Sequence, residues 1–159
     1  MLPRREVARA WASCLHANAR EHDARQVDWD TLAALLGRVV ALAPVAGAPL
    51  FAAWRELPEP DDAPALALHR LNAVRELRGA LHGAAVLTVG LAPAEAVLVR
   101  TPQMMETAGW TDVPPDPAPF NERWALAEAR TDRMVGRHLR VLDDDERSAL
   151  VELLGTLSA

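Results

Sequence analysis

The sequence predicts an all-α fold: a compact multi-helix domain spanning residues 1–159. Composition is the first reason. Half of the residues are hydrophobic, Ala and Leu dominate, Tyr is absent and Phe occurs twice, a mixture rich in helix formers and poor in strand formers. Apolar residues also recur three and four apart through most of the chain. Prolines and glycines, in turn, bound these runs more often than they interrupt them. A chain of this length can bury a core without disulfides or a structural metal.

From Arg4 to about Arg20, the spacing of Val7, Ala10, Trp11, Cys14 and Leu15 marks one face of a first helix. In VDWDTLAALLGRVVALAP, Asp28 or Asp30 can cap a second helix carrying Leu32, Leu35, Leu36 and Val39, and Pro44 stops it. A short third helix, Pro49 to Glu56, is expected to bury Leu50, Phe51 and Trp54, after which LPEPDDAP cannot continue a helix. Asp62 and Pro64 open a long fourth helix running to about Val89, closed by Gly90. Two short helices follow, one from Pro93 to about Arg100 and one from Thr101-Pro102 to about Thr107, closed by Gly109. The proline-rich TDVPPDPAP then delivers the chain to a long helix beginning near Phe120, whose apolar stripe is Phe120, Trp124, Ala127, Thr131, Met134, His138 and Leu142. Asp143 and Glu146 form a capping box for a last helix bearing Leu150, Val151, Leu153, Leu154 and Leu157.

All 17 basic residues are Arg, and 22 acidic residues give a net charge of −5, which opposes generic attraction to DNA. The Ala/Arg bias fits a high-GC bacterial genome. Cys14 stands alone and cannot form an internal disulfide, and its place on the apolar stripe predicts an inert core thiol. Neither a signal peptide nor a membrane-length apolar run is visible, so a cytoplasmic protein with no membrane partner is expected.

The fourth helix carries the candidate site. A central helix of a small domain should be mostly apolar, yet ALHRLNAVRELRGALHGAAVL is studded with polar residues. At about 100° per residue, His69, Asn72 and Glu76 share one strip and Arg75, Arg78 and His82 a neighbouring one. Gly79 and Gly83 each cost about 1 kcal/mol relative to Ala, which points to close approach by another helix or a ligand. In a pocket, Arg75 and Arg78 would hold an anionic or carbonyl group beside His69 and Asn72, with Glu76 and His82 as the candidate catalytic groups. Met105 and Trp110 would add an adaptable apolar wall. A solvated face, with Glu76 paired to a nearby Arg, is the competing account. His69 and Glu76 lie seven apart and His82 six further on, unlike metal-ligand spacing, so no metal is expected; nor is any cofactor, for phosphate-binding and CxxC motifs are absent.

The segments APLFAAWRELPEPDD, LHRLNAVRELRGALHGAAVLTVGLAPAEAVLV and GWTD resemble a family of actinobacterial helix-turn-helix or MarR-like proteins. Members carry a stretch like HxxxxxREHRGDGH, which His69, Arg75, Glu76, Arg78, Gly79 and His82 match, whereas Leu77 and Ala80 depart from it. The resemblance spans about Gly47 to Asp112, and more loosely Arg130 to Leu157. It implies winged-helix ancestry and long C-terminal helices, residues 115–159, used to form a homodimer. Members carry a further half-length of chain on the N-terminal side, so a separate chain supplying that half is an expected partner. After GWTD, where the family continues into a recognition helix and wing, this sequence has VPPDPAPFNERW, and the reader that major-groove recognition requires is missing.

The leading expectation is therefore a small-molecule-binding protein that has lost its DNA-reading elements and serves specialised metabolism or its regulation. An enzyme using acid-base chemistry at His69, Arg75, Glu76, Arg78 and His82 is the alternative, and a MarR-like DNA-binding regulator the third.

Overall fold

A computed structural model describes residues 4–21, 27–110 and 116–157. It contains α1 (Arg4–Glu21), α2 (Trp29–Leu42), α3 (Pro49–Arg55), α4 (Ala63–Thr88), α5 (Pro93–Arg100), α6 (Met104–Thr107), α7 (Asn121–His138) and α8 (Asp144–Leu157), with single 3-10 turns at Ala118–Phe120 and Leu139–Val141. No strand occurs among the described residues, and the all-α expectation holds. The chain divides into two compact units, one formed by Met1–Leu77 with His138–Ala159 and the other by Arg78–Arg137. No single helix among the described residues is long and apolar enough to cross a membrane.

The helix ends form where local chemistry dictates. Asp28 accepts from the Thr31 amide at 3.0 Å, satisfying one of the orphan donors of α2. Asp62 does the same for Ala65 at 3.2 Å, opening α4. Before α8 the reciprocal box is complete: the Glu146 amide donates to Asp143 at 2.8 Å and the Asp143 amide to Glu146 at 2.9 Å. Gly90 and Gly109 end their helices at φ values of 75° and 72°, a left-handed conformation that any Cβ would strain.

In the first unit, α2 supplies the centre of the core. Trp29, Leu32, Leu35, Leu36 and Val39 are buried together with Ala67 of α4, Leu142, and Leu150 of α8. Full burial of each Leu is worth about 1.5–3 kcal/mol. Leu150 is thus committed to the chain's own core, while Val151 beside it is 70% exposed. Around Phe120 in the second unit, Val86, Leu91, Leu98 and Ala127 form a separate core, against which Met105, Trp124 and Met134 pack.

Three sequence expectations need correction. The buried positions of α1 are Ala12 and Ala19, and its neighbours on that side, Ala8, Leu15 and His16, are half-buried. Val7, Trp11 and Cys14 are exposed, so the inward face is rotated by about one residue from the apolar stripe and Cys14 is no core thiol. Small side chains let helices approach closely, so a strip of Ala can outcompete larger apolar residues for the interior. Leu50 of α3 likewise lies 62% exposed, beside buried Phe51 and Trp54. Finally, a Cβ at Gly79 or Gly83 would meet nothing within 4 Å, so neither glycine is there to admit a neighbouring helix.

Candidate functional site

The polar residues of α4 fall into two neighbourhoods. His69, Asn72, Arg75 and Glu76 have their partners in the first unit, whereas Arg78 and His82 have theirs in the second. The two strips read from the sequence differ from these sets at Arg75, whose contacts are with Asn72 and Glu76.

In the first unit His69 is 3% exposed. Its Nδ1 lies 3.1 Å from Nε2 of His16 on α1, and its ring meets Trp54 edge-on with centroids 5.0 Å apart. Burial lowers the pKa of His69, and the charge of His16 lowers it further; His16 is lowered by burial and then by Arg20. A backbone hydrogen bond at Trp54 favours the charged form of His69, as a carbonyl acceptor does. In the neutral pair, His69 accordingly donates to Trp54 and accepts at Nδ1 from His16. No third His, Cys, Asp or Glu joins the two histidines among the described residues. His16 is 53 residues from its partner in the chain, a separation that no local pattern in the sequence spans. His22 lies outside the described residues.

Beside this pair, Trp54, Arg55, Glu59, His69 and Arg70 border a cavity of about 280 Å³. Its two cations are already engaged. Arg70 forks onto Glu59 at 2.7 and 2.8 Å and donates to the Ala33 carbonyl at 3.0 Å, while Arg55 donates to the Ala43 carbonyl at 3.0 Å. Asn72 accepts from Arg75 at 2.8 Å, yet its own Nδ2 is buried with no hydrogen-bond partner. Glu76 lies 3.4 Å from Arg75, the pairing the competing account expects, but its side chain is 18% exposed rather than solvated.

In the second unit His82 is the centre. Its Nδ1 lies 3.1 Å from Thr131 Oγ1 and 3.2 Å from Glu128 Oε1, and Trp124 meets its ring edge-on at 5.2 Å. Thr131 spends its hydroxyl proton on the Ala127 carbonyl at 2.8 Å and so accepts from His82. With Nδ1–H held by Thr131 and Glu128, Nε2 is the nitrogen left for other chemistry. Arg78 reaches the second oxygen of Glu128 at 3.2 Å. His82 and Trp124 also border a cavity of about 320 Å³ whose other walls include Val86, Leu87, Val97 and Arg100. Arg100 makes no ion pair with any described residue. Met105 is half-buried in the adjoining core, and Trp110 is 37% exposed, its amide donating to the Met105 carbonyl at 3.0 Å. The sequence put Thr131 on the apolar stripe of α7 but gave no signal for Glu128, 46 residues beyond His82.

The architecture of α5 and α6 bears on nucleic-acid recognition. The two helices are joined by a turn through Thr101, Pro102 and Gln103, but the second is one turn of Met104, Met105, Glu106 and Thr107. Two methionines and a glutamate offer none of the basic or amide groups that read base edges. Thr111 and Asp112 of the GWTD segment lie outside the described residues.

Comparison with known families assigns the chain to a class. A family model described as a helix-turn-helix family matches residues 1–119, and the chain belongs to that family. The match begins well before Gly47, so α1 and α2 are part of the family pattern, and it ends before α7. Neither the search of curated proteins nor that of solved structures found a match.

Proposed function

We propose that this helix-turn-helix family member binds a small molecule, seated in the second-unit cavity between His82, Arg100 and Trp124. The observation that carries this reading is the make-up of that cavity: walls of Val86, Leu87, Ala96, Val97 and Trp124, against one unpaired guanidinium and one imidazole. A ligand with an apolar body and an anionic or hydrogen-bond-accepting head matches it. Arg100 would take the head, and His82, steadied by Glu128 and Thr131, would orient it through Nε2. Met105 and Trp110 lie on the same unit but do not border the cavity. The reading extends to a MarR-like homodimer acting in the cytoplasm of an actinobacterium, in specialised metabolism or its regulation, with a separate chain as a further partner.

The test uses 1-anilinonaphthalene-8-sulfonate, an apolar body bearing one anion, added to the folded protein. Saturable binding that Arg100→Ala and His82→Ala each weaken, with the thermal midpoint of Arg100→Ala unchanged, supports the proposal. Undiminished binding by Arg100→Ala overturns it. A native mass spectrum of protein purified without added ligand reads subunit count and any bound mass together.

Two other readings rest on particular observations. The Glu128–His82 contact favours acid-base chemistry, with Nε2 as the base and turnover abolished in His82→Gln. Family membership favours a DNA-binding regulator, opposed by the one-turn α6 and the charge of −5. Sequence-specific retardation of DNA at physiological salt would decide for the regulator.

A further inference from the structure

Independently of that cavity, the first unit holds a groove of about 340 Å³. Val7 and Trp11 of α1, Leu50 and Trp54 of α3, Leu57 and Glu76 border it. The exposure of Val7, Trp11 and Leu50, at 53%, 59% and 62%, is therefore concentrated in one place. Single exposed apolar side chains need no explanation, but a concave cluster including two indoles does.

Among the described residues that border it, Glu76 is the only charged one. The Glu76 side chain is 18% exposed, so it is largely packed against its neighbours. Among the described residues its ion-pair partner is Arg75 at 3.4 Å, a side chain that is 69% exposed and that makes its shorter contact, 2.8 Å, with Asn72. So exposed a partner neutralises little of the charge. A wholly apolar occupant would strip the remaining water from the carboxylate and give nothing back, and an anion would be repelled. A cation satisfies both kinds of wall at once, through Coulomb attraction to Glu76 and through contact with the exposed Trp11 indole.

We infer that this groove is a binding site for a hydrophobic cation, an aryl- or alkyl-substituted ammonium or phosphonium, with Glu76 as counter-ion and Trp11 as the exposed aromatic wall. Glu76 here is a recognition group and not a catalytic base.

Calorimetric titration with tetraphenylphosphonium, and in parallel with tetraphenylborate, tests this on the intact chain. The two ions share a shape and differ in charge. In the Arg100→Ala protein, which lacks the guanidinium assigned to the anionic head in the second-unit cavity, the phosphonium is expected to bind once per chain and the borate far more weakly. Glu76→Gln should weaken the phosphonium about tenfold, and Trp11→Ala should weaken it by a similar factor. Trp11 is mostly exposed, so its removal keeps the test valid if Glu76→Gln fails to fold. Equal binding of both ions, no saturable binding of the phosphonium, or binding unaffected by Trp11→Ala overturns the inference. So does a concentration-dependent dimer that Trp11→Ala abolishes and the phosphonium leaves intact, since a second copy would then be the occupant.

Discussion

Gly37 lies in the middle of α2, where Ala would ordinarily be favoured by about 1 kcal/mol. A Cβ there would stand 2.6 Å from Arg70 Nη1 and 3.0 Å from Cζ. The guanidinium cannot yield freely, because it is held by Glu59 through two hydrogen bonds and by the Ala33 carbonyl through a third. The Arg70 side chain is 21% exposed and that of Glu59 46%, so the fork is partly solvated and its loss is worth about 1–2 kcal/mol, well below a fully buried pair. Gly37→Ala should thus leave the protein unchanged or destabilise it by up to about 1 kcal/mol. In an Arg70→Ala background the obstruction is gone, and the same substitution should stabilise by about 1 kcal/mol. Urea unfolding of the four proteins, followed by circular dichroism, gives the coupling directly, expected at about 1–2 kcal/mol. Equal stabilisation in both backgrounds would refute the reasoning. Acid provides a second readout. The Arg70 hydrogen bond holds the Glu59 carboxyl below its ordinary 4.5, so its contribution is present above that pH and lost as pH falls below it. Gly37→Ala should flatten that loss.

Three further outcomes follow from the same geometry. His16 and His69 both titrate below 6.5 in the folded protein, so folding opposes their protonation. Stability should be full above pH 6.5 and fall as pH drops below it, and a urea midpoint that stays flat from pH 7.5 to 5.5 would contradict this. His16→Gln should reduce that dependence, with Arg20, Asp62, Glu59 and Arg70, the other charges around the pair, left in place. Gly79→Ala, which meets open space, should stabilise α4 by about 0.5–1 kcal/mol, read as a higher thermal midpoint; a lower one would reveal a neighbour at that position. Asp143→Ala, which breaks the box before α8, should cost about 1 kcal/mol in urea unfolding.

Helix ends were legible because their causes are local. Asp28, Asp62 and the Asp143–Glu146 pair cap within three residues of their own positions, and Gly90 and Gly109 carry their own backbone preference. Faces were less so. Periodicity identifies the largest apolar strip on α1, but the core took the strip with Ala12 and Ala19, and Trp11 was left to line a groove. The site was legible only as a list of polar residues on α4. Which of them meet depends on side chains far along the chain, His16 for His69 and Glu128 with Thr131 for His82, and no helical periodicity within α4 encodes those partners. Glu76, read in the sequence as a candidate base, borders the same groove as Trp11 and Trp54, which the spacing within α4 could not indicate.

The first unit is discontinuous: its α2 core is completed by residues that follow the whole of the second unit. Arg38 and Glu146, which pair across it, are separated by 108 residues. At about 5–20 residues per second, synthesis would leave the Leu32, Leu36 and Val39 surface uncovered for roughly 5–20 s before Leu142 and Leu150 emerge. The contiguous second unit can meanwhile complete its own core around Phe120. The order of the chain thus makes the last helix the clasp of the first-made half, and the nascent protein is most prone to aggregate in the interval before it closes.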